Sequence, residues 1–145
     1  MYTLIVVDMQ PGFRSASGTR VRENCLREVN KAVVDGADII FLEYEGYEAT
    51  FKELTEAALH SKYIGSKCTD DGSSVVAKFV HRNQLFKNFK VCGINTDCCV
   101  KATVEGLTSH FPMSRIDVVG DACDSDWNHF NGLEAMKKLS GVVVQ

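Results

Sequence analysis

The sequence predicts an α/β domain in which a mostly parallel sheet lies between two layers of helices. Short apolar runs typical of buried strands alternate with segments of helical spacing along the whole chain. Six predicted strands alternate with five predicted helices, an order that gives a three-layer sandwich with helices on both faces of a six-stranded sheet. The length of 145 residues fits a single domain, 1–145, with one full-sized core.

The first half of the chain supplies two strands and two helices. The apolar run Leu-Ile-Val-Val predicts a strand at 4–7, and a second apolar run predicts a strand at 39–42. Between them, apolar residues recur at helical spacing over 19–34. Thr50 is the predicted N-cap of a second helix, which extends to residue 59.

The second half repeats this alternation. A weak strand at 62–65 precedes a helix that is capped by Ser73 or Ser74. An apolar strand, a helix, a strand, a helix and a final strand follow, and they are predicted in that order at 89–92, 98–107, 116–119, 127–139 and 142–144.

One cysteine falls at a position that suits a nucleophile. Cys99 is predicted in the first turn of helix 98–107, just past the carboxyl end of strand 89–92. Free backbone N–H groups and the helix dipole favour the thiolate there, so we expect a lowered pKa. The same N–H groups can hold an oxyanion after the thiolate attacks a carbonyl. Consecutive helical residues point about 100° apart, so Cys98 and Cys99 cannot both face the site.

Two charged residues also follow predicted strands. Asp8 comes directly after the first strand and Lys67 after the third. Because the ligand crevice of such a sheet lies at the carboxyl ends of its strands, we expect these side chains to meet Cys99. A carboxylate that follows four apolar residues needs a partner such as Lys67. Lys78 is the alternative lysine, but it lies on an amphipathic helix whose solvated face can hold it.

Composition excludes several classes of function. The net charge is −3 and no basic run is present, which argues against nucleic-acid binding and against a polybasic membrane contact. The chain opens without a cationic leader or cleavage site, and no apolar stretch approaches membrane-spanning length. We therefore expect a cytoplasmic protein. Its six cysteines lack a CxxC pair and are expected to be reduced and mostly buried.

Three segments resemble the isochorismatase-like cysteine hydrolases, a superfamily that includes nicotinamidase and N-carbamoylsarcosine amidase. LIVVDMQPGF is similar to the opening of that family, GINTDCCVKAT matches its G-x-x-T-D-x-C-V motif, and DVVGDAC resembles its fifth strand and following loop. The similarity covers most of the chain in order. It implies an isochorismatase-like, Rossmann-like hydrolase domain.

The resemblance also implies a site. It assigns Asp8, Lys67 and Cys99 as a catalytic triad, with a cis peptide bond before Asn95 and an oxyanion hole formed by the N–H groups of Asn95 and Cys99. From the residues themselves, Phe13 and Tyr44 are expected to contact the substrate. For Gln10 and Phe13 a role in the turn is an equal alternative, and Tyr44, Tyr47 and Trp127 line either the site or the surface.

The sequence departs from the nicotinamidases at their metal site. Those enzymes carry an Asp-x-His pair after the second strand and a further histidine, whereas this chain has Glu43, Tyr44 and Glu45 there, with His60 later. Two glutamates and a histidine could bind a divalent ion. The favoured interpretation is that the two glutamates are solvated and that the histidine lies at a helix end, without a metal. We predict no metal and no cofactor.

The preferred function is hydrolysis of the C–N bond of a small-molecule amide or ureide through a thioester on Cys99. The alternative is a non-catalytic binding or regulatory module that retains the fold. A vinyl ether hydrolase that needs no thiol and a redox sensor that uses Cys98 and Cys99 are disfavoured. Asp97 is expected to be a helix N-terminal acid, and His81, His110 and His129 are expected on the surface. The oligomeric state is open, with a homo-oligomer as one alternative.

Overall fold

The computed structural model describes all 145 residues. Its strands are β1 Thr3–Val7, β2 Asp38–Tyr44, β3 Lys62–Lys67, β4 Phe89–Ile94, β5 Ile116–Asp124 and β6 Val142–Val144. Its helices are α1 Thr19–Asp35, α2 Lys52–Ala57, α3 Ser73–Asn83, α4 Lys101–His110 and α5 His129–Lys137. A short 3-10 turn, Ser15–Ser17, precedes α1, and a π-helical turn, Thr96–Val100, leads into α4.

The six strands form one sheet in the order β3-β2-β1-β4-β5-β6, and every neighbouring pair is parallel. The predicted α/β class and the layered architecture are therefore confirmed. The chain builds outward from β1 to β2 and β3, and then returns to the other side of β1 with β4. This reversal places a topological switch point between β1 and β4, where ligands bind in open α/β sheets.

The two faces of the sheet have separate apolar cores. Leu4 and Val6 of β1 pack in the cluster that contains α1 and α2, whereas Ile5 and Val7 pack in the cluster that contains α3, α4 and α5. Because β1 is buried on both faces, its sequence is a continuous apolar run rather than an alternating one. The same reason explains why the central strands were the easiest elements to predict.

Helix α2 is shorter than predicted. It covers Lys52–Ala57 with Phe51 at the N-cap, so Thr50 is not the cap. The Thr50 N–H and hydroxyl both donate to Glu43 Oε2, each at 2.7 Å, and this fastens the loop before α2 to the end of β2. A similar difference occurs at α3, where the Ser73 N–H donates to Asp71 Oδ1 and no serine side chain caps the helix.

Strand β5 is longer than predicted. Its register against β4 shifts between Val91 and Gly93, and beyond the shift Gly93 pairs with Cys123. The irregularity lets β5 continue to Asp124 through a segment whose polar residues resemble a loop. Helix α5 then begins at His129 rather than at residue 127, with the Asn128 side chain accepting a hydrogen bond from the Asn131 N–H.

Gly93 allows β1 and β4 to approach closely at the end that carries Asp8. Its φ is +118°, and a Cβ there would clash with the Val7 carbonyl oxygen. Only glycine satisfies both demands.

Among the helices of the chain, none is long and apolar enough to cross a bilayer.

Candidate active site

The structure brings Asp8, Lys67 and Cys99 together at the carboxyl edge of the sheet. Asp8 follows β1, Lys67 ends β3, and Cys99 lies in the turn after β4. Residues that are far apart in sequence therefore meet beside the switch point between β1 and β4. Lys78 lies on the exposed face of α3, so Lys67 is the lysine at this site.

Asp8 and Lys67 form a buried ion pair. Lys67 Nζ lies 3.0 Å from Asp8 Oδ2, and the two side chains are 2% and 0% exposed. The ammonium also donates to the Thr69 carbonyl oxygen at 3.1 Å and lies 4.3 Å from the centre of the Tyr44 ring. These contacts satisfy a charge that would otherwise be expensive to bury.

Asp8 keeps one carboxylate oxygen free. Oδ1 is buried and has no hydrogen-bond partner, whereas Oδ2 is held by Lys67. Burial raises the pKa of the Asp8 carboxyl, and the Lys67 ammonium opposes that rise. The backbone is left-handed, with φ of +51°, a conformation that aspartate and asparagine tolerate better than most residues. The result is a fixed carboxylate with an unused acceptor.

Cys99 is a buried neutral thiol, and the expected lowering of its pKa is wrong. Burial, followed by the charge of Asp8, raises the pKa of Cys99 well above its ordinary value, and Asp70 adds to the rise. The Lys67 ammonium acts in the opposite direction but does not reverse the shift. The turn that carries the residue is π-helical rather than the first turn of an α-helix, and the residue is 8% exposed. A thiol in this setting needs a base to become a nucleophile.

This protonation state predicts the order of alkylation. At neutral pH, iodoacetamide should modify the exposed Cys68 faster than Cys99, because the reagent reacts with thiolates and Cys99 is both buried and protonated. Peptide mapping over a time course measures the two rates. Labelling of Cys99 ahead of the other cysteines would show that its thiolate is favoured after all.

Asp70 is a site residue that the sequence analysis missed. Its Oδ1 lies 3.6 Å from Cys99 Sγ, within the range of a hydrogen bond from the thiol. The loop that follows Lys67 holds it there, because the Asp70 carbonyl oxygen accepts a hydrogen bond from the Thr103 hydroxyl of α4. Its position in the same strand-end loop as Lys67 was the available signal.

Asn95 joins the end of β4 to the turn that carries Cys99. The Ile94–Asn95 peptide bond is cis, and the Asn95 carbonyl oxygen accepts hydrogen bonds from the N–H groups of Cys98 and Val100. The Asn95 side chain is fixed as well, because its Oδ1 accepts from the Ser15 hydroxyl at 2.6 Å. The Asn95 N–H makes no hydrogen bond within the chain, so it is free to donate to a ligand.

Phe13 and Tyr44 lie together at this edge with Tyr47. The rings of Phe13 and Tyr47 stack with centroids 4.2 Å apart, and Tyr44 packs edge-on against both. Gln10 fixes the arrangement, because its side chain accepts from the Tyr44 N–H and donates to the carbonyl oxygens of Tyr44 and Glu48. Gln10 therefore has a structural role.

The loop after β5 is hydrogen-bonded to the turn that carries Cys99. Asp97 accepts hydrogen bonds from the Ser125 hydroxyl and the Asn128 N–H, which matches its expected role as a non-catalytic acid. His129 is not a free surface residue, because its Nδ1 lies 2.7 Å from the Thr96 hydroxyl. Trp127 is 70% exposed and belongs to the surface. None of the four surface cavities is lined by a triad residue.

Comparison with solved structures identifies the fold. A ribonuclease from Caenorhabditis elegans superposes with a TM-score of 0.86 at 19% identity, covering 99% of this chain and 76% of that one. A nicotinamidase from Staphylococcus aureus superposes with a TM-score of 0.84 at 18% identity, over the whole of both chains. An N-carbamoylsarcosine amidase from Thermoplasma acidophilum superposes with a TM-score of 0.80 at 16% identity, covering 100% of this chain and 96% of that one. The chain therefore shares its fold with these proteins.

Sequence comparison adds little to this result. No family model matches the chain. The HTH-type transcriptional regulator MntR of Listeria welshimeri is 26% identical over 110 residues, covering 74% of this chain and 77% of the regulator. A helix-turn-helix motif joins two consecutive helices. A strand separates each α-helix of this chain from the next, so no such pair is present.

The structure does not bring Glu43, Glu45 and His60 together as a metal site. Glu43 already accepts two hydrogen bonds from Thr50. His60 precedes β3 at the amino-terminal edge of the sheet, so it lies the length of a strand away from Glu43 and Glu45. No group of three His, Cys, Asp or Glu side chains is arranged to hold a metal ion. Glu43, Glu45 and His60 are therefore not placed to ligate one metal ion.

Proposed function

We propose that this protein is a cysteine-dependent hydrolase that cleaves the C–N bond of a small amide or ureide through a thioester on Cys99. The observation that carries the proposal is the buried Asp8–Lys67 pair beside a buried thiol, with Asp8 Oδ1 left without a partner. The amidases and nicotinamidase that share the fold support the same reaction class.

Asp8 is proposed as the general base. Its free Oδ1 is a proton acceptor next to a thiol that is neutral at rest, so formation of the thiolate requires transfer of the Cys99 proton to Asp8. Burial raises the pKa of the Asp8 carboxyl, and the Lys67 ammonium opposes that rise and so favours the ionised base. Asp8 and Lys67 together allow the neutral Cys99 thiol to act as a nucleophile.

The reaction then takes two covalent steps. The Cys99 thiolate attacks the carbonyl carbon, and the tetrahedral intermediate collapses when Asp8 returns the proton to the departing nitrogen, leaving a thioester and a free amine or ammonia. A water molecule gives its proton to Asp8 and attacks the thioester, which releases the acid and restores the Cys99 thiol. The proton that Asp8 holds returns to sulfur in that step.

The oxyanion formed in each step needs donors. The Asn95 N–H has no partner in the chain. Hydrogen bonds to the carbonyl and the side chain of Asn95 hold this residue in place, so the direction of its N–H group is fixed. A fixed donor that requires no reorganisation is what stabilises a developing negative charge. We propose the N–H groups of Asn95 and Cys99 as the oxyanion hole, with Phe13 and Tyr44 as walls for the substrate.

A panel of small amides and ureides tests this function. Release of ammonia or amine should be measured for the unmodified protein, for Cys99→Ser and for Cys98→Ser. The adjacent Cys98 is a matched control, because it is half-buried and makes no hydrogen bond with Asp8 or Asp70. We expect turnover in the unmodified protein and in Cys98→Ser, and at least a 10²-fold loss in Cys99→Ser. Equal turnover in both variants would contradict the proposal.

The alternative is a non-catalytic binding module with the same fold. In favour of this alternative, no surface cavity is lined by a triad residue, whereas catalytic sites usually lie in clefts. A binding module predicts no turnover with any compound in the panel, and ligand affinity that does not change in Cys99→Ser.

A further inference from the structure

The loop after β3 holds a carboxylate against the thiol. Asp70 Oδ1 lies 3.6 Å from Cys99 Sγ, and the Asp70 side chain is exposed to solvent. No Lys, Arg or His side chain of this chain forms an ion pair with it within 4.0 Å. The charge of Asp70 is therefore not compensated by the protein at the point where a substrate carbonyl must arrive.

The positive charge of the site belongs to Lys67, which contacts Asp8 rather than Asp70. Lys67 Nζ is 3.0 Å from Asp8, 3.1 Å from the Thr69 carbonyl oxygen and 4.3 Å from the centre of the Tyr44 ring. The Lys67 and Asp8 charges form a buried ion pair with no net charge. The charge next to Cys99 that has no ion-pair partner is the negative charge of Asp70. After burial, this charge is among the causes that raise the pKa of Tyr44 and of Cys99.

We infer that Asp70 selects a substrate that carries a cationic nitrogen next to the reacting carbonyl. The inference rests on the proposed hydrolase function and adds the class of substrate. An attacked carbonyl carbon must lie within contact distance of Sγ, so a group one or two bonds away comes within reach of a carboxylate at 3.6 Å. An ammonium or amidinium there forms a charge-assisted hydrogen bond, whereas an amide that carries a carboxylate is repelled.

Charged thiol reagents test the field at Cys99 without any need for turnover. The cationic reagent is 2-(trimethylammonio)ethyl methanethiosulfonate and the anionic one is 2-sulfonatoethyl methanethiosulfonate, both used on protein that carries Cys68→Ser and Cys98→Ser. The ratio of the two rates cancels any change in the thiol pKa. We expect Asp70→Asn to lower the cation-to-anion ratio by about tenfold or more, since a unit charge at 4 Å in water changes a rate about fivefold for each probe.

Asp71→Asn is the matched control. Asp71 is the next residue in the same loop, but its carboxylate accepts from the Ser73 N–H rather than from Cys99, and asparagine retains that acceptor. The ratio should change little in Asp71→Asn. An unchanged ratio in Asp70→Asn, or equal changes in the two variants, would overturn the inference.

A second measurement uses three amides of similar size: glycinamide, which is cationic, propionamide, which is neutral, and malonamate, which is anionic. We expect kcat/KM to fall in that order, and the order to flatten in Asp70→Asn but not in Asp71→Asn. Turnover without charge selectivity would contradict the inference about Asp70 but not the proposed hydrolase function. Charge-selective labelling with no turnover of any amide in the wider panel would contradict the hydrolase function but not the preference of the site for cations.

Discussion

Asp8→Asn is expected to abolish turnover, by about 10²-fold or more, while the fold is retained. Asparagine is nearly isosteric and tolerates the left-handed backbone at this position, but it cannot accept the Cys99 proton. Because the Asp8 charge raises the pKa of Cys99, its removal should also increase the thiolate fraction. Inactivity should therefore be accompanied by faster reaction of Cys99 with iodoacetamide.

This combination separates a base from a merely structural aspartate. Steady-state rates and the alkylation rate of Cys99 should be measured on the same preparations, with circular dichroism as a check on folding. Retention of turnover within a few fold would show that another group removes the proton. Faster alkylation accompanied by loss of the native circular dichroism signal would indicate that Asp8 acts through structure alone, because unfolding also exposes the buried thiol.

Lys67→Met is expected to lower the free energy of unfolding by about 3–5 kcal/mol near neutral pH and to abolish turnover. The reason is that Asp8 remains buried without its 3.0 Å partner. Without the ammonium, the pKa of folded Asp8 rises further above its unfolded value, so the folded state binds more protons in the interval between the two values. Stability then falls as pH rises through that interval, and the difference from the unmodified protein should be smaller at acidic pH.

Two variants complete the test. Lys78→Met removes an exposed lysine of α3 and should leave both stability and turnover nearly unchanged. Asp8→Asn combined with Lys67→Met removes both charges and should recover much of the stability lost in Lys67→Met, but none of the turnover. Urea unfolding at several pH values measures these differences. Equal destabilisation by Lys67→Met and Lys78→Met would contradict the role of the buried pair.

The strand ends could be predicted because local sequence determines them. The apolar run before Asp8 is buried on both faces of the sheet, and the run before Gly93 is its neighbour, so both strands were evident from composition alone. The parallel order then required their carboxyl ends to meet. Asp8, Lys67 and Cys99 were found for this reason.

The protonation state of Cys99 could not be predicted in the same way. A helix N-terminus is readable from the chain and favours a thiolate, but burial and the neighbouring carboxylates depend on which loops pack over the turn. Asp70 reaches the thiol through a loop whose path is set by a contact with α4. The partner of Thr50 and the contact between His129 and Thr96 were missed for the same reason, since each is made in the tertiary structure.

The most direct test of the proposed mechanism is the mass of the protein during turnover. A substrate found in the amide and ureide panel should be mixed with the protein, quenched in acid at intervals, and examined by intact mass and peptide mapping. We predict an added mass equal to the acyl group, located on Cys99, which is absent in Cys99→Ser and present in Cys98→Ser. Turnover with no added mass on Cys99, or with the acyl group on another residue, would contradict the thioester mechanism.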